Sequence, residues 1–155
     1  MAKLKFFLRY WLPVLAWMGF IFSASADAHS YEHSGVLVSK IFEPVVRWFF
    51  PTLSPARMDE LHHLFRKCAH LAEFAILALL LWRAIRQSHA TAHRWHWPVA
   101  GLTLLFVFSY AASDEFHQSF VPGRTAQFSD VGIDTAGGAV GLLLLWLTGK
   151  IFKRW

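Results

Sequence analysis

The sequence predicts an all-α integral membrane protein, a four-helix bundle with an amphipathic interfacial helix between spans 1 and 2. Three observations lead there. Apolar residues make up 55% of the 155-residue chain and charged residues only 16%, and the mean hydropathy is +0.37, too oily for an ordinary soluble domain. Eight Trp and fifteen Phe suit the aromatic belts at membrane–water interfaces. Four apolar runs, about 6–24, 68–85, 97–116 and 131–147, have the length of membrane spans. The chain length fits one domain, 1–155. The formal net charge is +5, but the basic residues cluster beside apolar runs, so they speak for membrane orientation and no nucleic-acid partner is expected. The lone Cys68 leaves no intramolecular disulfide.

The first run follows Lys3 and Lys5 and ends near Ala24-Ser25-Ala26. It reads either as a signal peptide with a small-residue cleavage site or as a retained first span with Arg9 snorkelling to the interface. Retention is preferred, because a small bundle needs partners for its other polar-faced helices. From Asp27 to Arg66 the chain is polar enough to leave the membrane core. Within it 34–50, SGVLVSKIFEPVVRWFF, has helical apolar spacing and ends in aromatics before Pro51, the pattern of a helix lying in the interface.

Ser54-Pro55 is a helix start, with a capping hydroxyl and proline in the first turn. Nothing then interrupts a helix until about Arg86. Taking about 100° per residue, Asp59, His62, His63, Arg66, His70 and Glu73 share one stripe. Because this stripe enters the apolar segment, it must face protein or water. The third helix runs from Trp97 through Gln118 to a turn at Val121-Pro122-Gly123. The fourth span ends among Lys150, Lys153 and Arg154. Basic residues at the N-terminus, in the 83–96 loop and at the C-terminus place both termini in the cytoplasm.

That topology brings polar groups from three segments to the outer ends of their spans. Asp114, Glu115 and Gln118 share an arc on the third helix, with His117 beside them, and Asp130 and Asp134 are one turn apart on the fourth. Gly137 and Gly141 form a small-xxx-small pair that permits close helix approach. Arg124, in the intervening turn, is the natural counter-ion, since a guanidinium grips carboxylates or phosphates bidentately. TAGGAVG lacks the Lys-Ser/Thr ending of a phosphate-binding P-loop.

RKCAHLAEF and SDEFHQSFVPGRTAQFSDVGIDTAGGAVG resemble the signature blocks of the VanZ-like membrane proteins. The matching positions are Lys67, His70, Glu73, Phe74, Asp114, Glu115, Gln118, Pro122, Gly123, Arg124, Asp130 and Gly138. They cover about half the chain, and Asp134 stands where that family often has Asn. The resemblance implies a multi-span protein of the bacterial inner membrane. It also links the chain to resistance to teicoplanin, a lipid-bearing glycopeptide, without supplying a reaction or a cofactor.

Two readings of the polar cluster stand side by side. In one, the buried charges only lock the bundle as hydrogen-bonded and ion-paired partners. In the other, they form a site for an envelope lipid or lipid-linked phosphate. There His70, Glu73, Asp114 and Glu115 are the candidate catalytic groups, with Glu73 or Asp114 as general base and His70 or His117 as proton carrier. Gln118, Arg124, Asp130 and Asp134 are the candidate binding groups, Arg124 as phosphate anchor. His70, Glu73, Asp114 and His117 supply metal-ligand types, but at no diagnostic spacing, and no metal is expected. Ion or proton transport is disfavoured, because no polar groups line the cytoplasmic halves.

Overall fold

The computed structural model describes residues 1–26, 40, 42–88, 95–121 and 127–153. Among them there are five helices and no strand: α1 (Ala2–Ala26), α2 (Glu43–Phe49), α3 (Pro55–Ser88), α4 (Trp97–Gln118) and α5 (Phe128–Ile151). Helices α1, α3, α4 and α5 are long and apolar enough to cross a membrane. The protein is an all-α, multi-pass membrane bundle.

The helices outrun the expected spans because hydrogen-bonded turns do not stop at the bilayer edge. No Pro or Gly lies at 2–5 or at 128–130, just ahead of the first and last apolar runs, so α1 begins at Ala2 and α5 at Phe128. The 34-residue α3 is about 51 Å long at 1.5 Å per residue, well beyond a hydrocarbon core of about 30 Å. At its start the Ser54 hydroxyl accepts the Arg57 N–H at 3.4 Å, satisfying one of the donors a helix N-terminus leaves open.

The expected interfacial helix is described at Lys40 and from Phe42 to Phe50, which includes the seven residues of α2; its remaining part lies outside the described residues. Arg47 pairs with Glu43 one turn earlier at 2.8 Å. Val45, Trp48, Phe49 and Phe50 are exposed. The Phe42 ring rests on Phe65 of α3, with centroids 4.7 Å apart.

Specific contacts fix the helix directions. Trp17 bonds to Glu73 and Arg83 to Arg9, so α1 and α3 are antiparallel. Tyr110 bonds to Met18 and Ser25 to Asp114, so α1 and α4 run together. Gly137 meets Leu71, and Gly141 meets Ala75, which makes α3 and α5 parallel. Phe74, Leu77, Ala78, Val107 and Ala111 form the core among them, with Val14 and Ile21 added from α1.

The α3–α5 contact is close enough to exclude side chains. A Cβ built on Gly141 would lie 2.8 Å from the Ala75 carbonyl oxygen, and one on Gly137 would strike the Leu71 backbone. In lipid, where apolar side chains gain little by leaving one apolar medium for another, such packing is a main source of helix association. The glycines follow Asp134 by one and two turns of α5, and Leu71 and Ala75 flank Glu73 on α3. The glycine seam therefore brings the Asp134 end of α5 against the stretch of α3 that carries His70 and Glu73.

Pro13 lies inside α1. Lacking an N–H, it leaves the carbonyl of residue i−4, Arg9, without its helical donor. Arg83 of α3 donates to that carbonyl from Nη2 at 3.4 Å, and its guanidinium also lies 5.1 Å from the Tyr10 ring centroid. At the same end Trp82, Trp95, Trp97 and Trp146 form a chain of ring contacts. Arg86 lies over Trp82 and Lys150 over Trp146. One end of the bundle is aromatic and basic; the acids sit at the other.

Candidate polar site

Hydroxyls within these helices mostly bond back to their own backbone, as apolar surroundings demand. Thr103, Ser109 and Thr135 bond to the carbonyl four residues earlier, and Ser23 and Ser113 to the one three residues earlier. Ser25 departs from this pattern. Buried near the end of α1, it donates instead to Asp114 Oδ2 of α4 at 2.8 Å.

Asp114 is the hub. It is only 2% exposed, and Gln118, one turn on, donates its amide to the same Oδ2 at 2.8 Å. The other oxygen, Oδ1, is buried and finds no hydrogen-bond partner among the described residues. Next to it in sequence, Glu115 accepts the Gln127 N–H at 2.9 Å through Oε2 and so fastens the start of α5 to the end of α4.

From α3, half-buried Glu73 lies 3.7 Å from His70 Nδ1. The Glu73 carbonyl accepts the Trp17 indole N–H at 2.9 Å. From α5, Asp134 is 3% exposed. Asp114, Glu115, Asp130 and Glu73 all lie close enough to act on Asp134 electrostatically. Yet among the described residues Asp134 has no hydrogen bond and no ion pair. Buried polar groups are ordinarily satisfied, so Asp114 Oδ1 is an acceptor in want of a donor.

His70, Glu73, Asp114, Glu115, Gln118, Asp130 and Asp134 thus gather at one end of the bundle, drawn from three helices. Arg124 lies outside the described residues. His117 turns toward α1, its ring 4.3 Å from that of Phe22, and its Nδ1 is buried without a hydrogen-bond partner among the described residues. No group of three His, Cys, Asp or Glu among the described residues is arranged to hold a metal ion. Asp59, His63 and Lys67 are exposed, because the first half of α3 extends beyond its partners.

Sequence reasoning did not find Ser25, or the tethers from Trp17 and from Tyr110, whose hydroxyl donates to the Met18 carbonyl at 2.6 Å. The signal for Ser25 was its depth: it closes the first span at the level where the acids close theirs.

Comparison with protein families matches the VanZ/LLP1 family model to residues 10–151. Comparison with curated proteins and with solved structures finds no match.

Proposed function

The chain belongs to the VanZ/LLP1 family, and from that premise we propose that its polar cluster is an outward-facing site that binds or acts on an envelope lipid or lipid-linked molecule. The protein then resides in the bacterial inner membrane with both termini in the cytoplasm. The basic and tryptophan-rich end, with Arg9, Arg83, Arg86 and Lys150, supports that orientation by the positive-inside rule. The acids accordingly face the outer leaflet, where lipid-linked precursors and lipid-bearing glycopeptides such as teicoplanin meet the membrane.

The observation that supports this reading is the buried acceptor Asp114 Oδ1, which has no hydrogen-bond partner among the described residues. A cluster that serves only to lock helices is expected to have its buried groups paired. Asp114 Oδ2 and Glu115 Oε2 fit that role, whereas Asp114 Oδ1 does not. Leaving a buried acceptor unmet costs about 1–3 kcal/mol, a cost that a ligand offsets when it binds. In this site Glu73 or Asp114 serves as base and His70 as its proton carrier, with Glu115 alongside. Gln118, Asp130 and Asp134 contact the ligand, and Arg124 anchors a phosphate.

The test compares the parent protein with Glu73→Gln after gentle purification, using native mass spectrometry to detect retained lipid. The site reading expects normal abundance and thermal stability with lipid occupancy lost. If Glu73→Gln instead lowers abundance and stability and leaves lipid retention per folded molecule unchanged, the cluster is a structural lock.

A further inference from the structure

We propose that Arg9 and Arg83 together form a binding site for the phosphate of an anionic phospholipid, at the end of the bundle opposite the acids. This site stands independently of the lipid reading of the polar cluster.

Two guanidiniums from different helices converge on one ring. That of Arg9, on α1, lies 5.5 Å from the Tyr10 ring centroid, and that of Arg83, on α3, lies 5.1 Å from the same centroid. Tyr10 packs against the hydrophobic core, so its ring holds both cations in place. Arg83 is fixed a second time by its Nη2 bond to the Arg9 carbonyl, the acceptor that Pro13 leaves open. Neither guanidinium bonds to a carboxylate among the described residues. The sequence explains why: positions 1–26, 74–113 and 135–155 hold no Asp or Glu. Residues 89–94, which join α3 to α4, fall in that range and bring no acidic side chain either.

Two like charges drawn to one ring repel each other, and an anion between them turns that repulsion into attraction. A phosphate suits the pair, because each guanidinium is a planar fork whose N–H bonds match phosphate oxygens two at a time. Depth points to a lipid as its source. Arg9 is about 24 Å along α1 from Ser25 at 1.5 Å per residue, so the pair and the polar site lie near opposite faces of a hydrocarbon core about 30 Å thick. Both arginines are exposed, and the tryptophan chain at the same end marks the interface where headgroup phosphates lie. A basic pocket between spans is an arrangement that takes anionic headgroups. A zwitterionic headgroup fits less well, since its ammonium enters a region of Lys and Arg side chains and no acid.

The experiment titrates the full chain in detergent with phosphatidylglycerol, with phosphatidylcholine and with inorganic phosphate, and reads bound ligand by native mass spectrometry. Phosphatidylglycerol should bind at least about tenfold more tightly than phosphatidylcholine, and Arg9→Gln should remove most of that preference. Lys150→Gln, which removes a charge of the same sign at the same end, should leave most of it in place. Should Arg9→Gln not accumulate, Arg9→Lys decides: it keeps the charge, loses the planar fork and should still lower the preference. An unchanged preference there overturns the site, as does equal binding of the two lipids to the parent protein. Equal losses in Arg9→Gln and Lys150→Gln overturn it too, because the preference then belongs to the summed charge of this end. Arg9-dependent binding of inorganic phosphate without binding of phosphatidylglycerol overturns the lipid and leaves a site for a soluble phosphate.

Discussion

The hydroxyl of Ser25 donates to Asp114 across 89 positions of sequence, joining the last turn of the first span to the centre of the polar site. The first span is therefore a contributor to the site and not only an anchor. A hydrogen bond to a charged group contributes about 1.5–3 kcal/mol. Ser25→Ala should lower the thermal midpoint of the purified protein measurably, while Ser25→Thr, which keeps the hydroxyl, should recover most of it. Equal midpoints for Ser25→Ala and the parent would mean that this bond carries no weight.

The glycine seam makes a graded prediction. Gly137→Ala and Gly141→Ala place a methyl against the backbone of α3, which cannot yield as a side chain can. Both should reduce stable, monodisperse protein. Gly132, on the same helix, has nothing within 4 Å of its would-be Cβ. Gly132→Ala should be neutral or stabilising by up to about 1 kcal/mol from helix propensity. Fluorescence-detected size-exclusion chromatography after heating ranks the three directly.

Pro13 and Arg83 should be thermodynamically coupled. Arg83→Leu removes the donor to the Arg9 carbonyl and should destabilise the parent. In a Pro13→Ala background the helix supplies its own N–H to that carbonyl, and the same change should cost less. The difference, about 0.5–1.5 kcal/mol, isolates this bond from the Tyr10 ring contact, which is present in both backgrounds. Additive effects in the cycle would remove the link.

The topology is open to reporter fusions. A reporter joined after residue 90 should read cytoplasmic and one near residue 125 should read external, because the basic, tryptophan-rich end is assigned to the inside. The reverse pattern at either junction contradicts an outward-facing site.

The spans were readable because apolar runs need no tertiary information, and the four helices lie where they place them. The meeting of Glu73, Asp114 and Asp134 was readable for a related reason: each marks the same depth on its own helix, and lipid offers it nothing. Gly137 and Gly141 were readable as a seam, though not the helix that would fill it. Contacts that depend on helix rotation were out of reach. The small run Ala24-Ser25-Ala26 looked like a processing site or plain packing, and only the facing of α1 against α4 makes Ser25 a donor. Arg83 looked like an orientation signal alone, since the demand it meets is created by Pro13, 70 positions earlier and on another helix.

The parallel contact of α3 with α5 has a consequence for how the protein is made. Spans enter the membrane in chain order, so α3 arrives well before the helix it grips most closely. Until α5 follows, Leu71 and Ala75 face lipid or a passing helix, and Glu115 has no Gln127 to receive. The polar site is completed only when the final span closes on its seam. A nascent chain halted after α4 would carry Ser25, Asp114 and Gln118 but neither Asp130 nor Asp134.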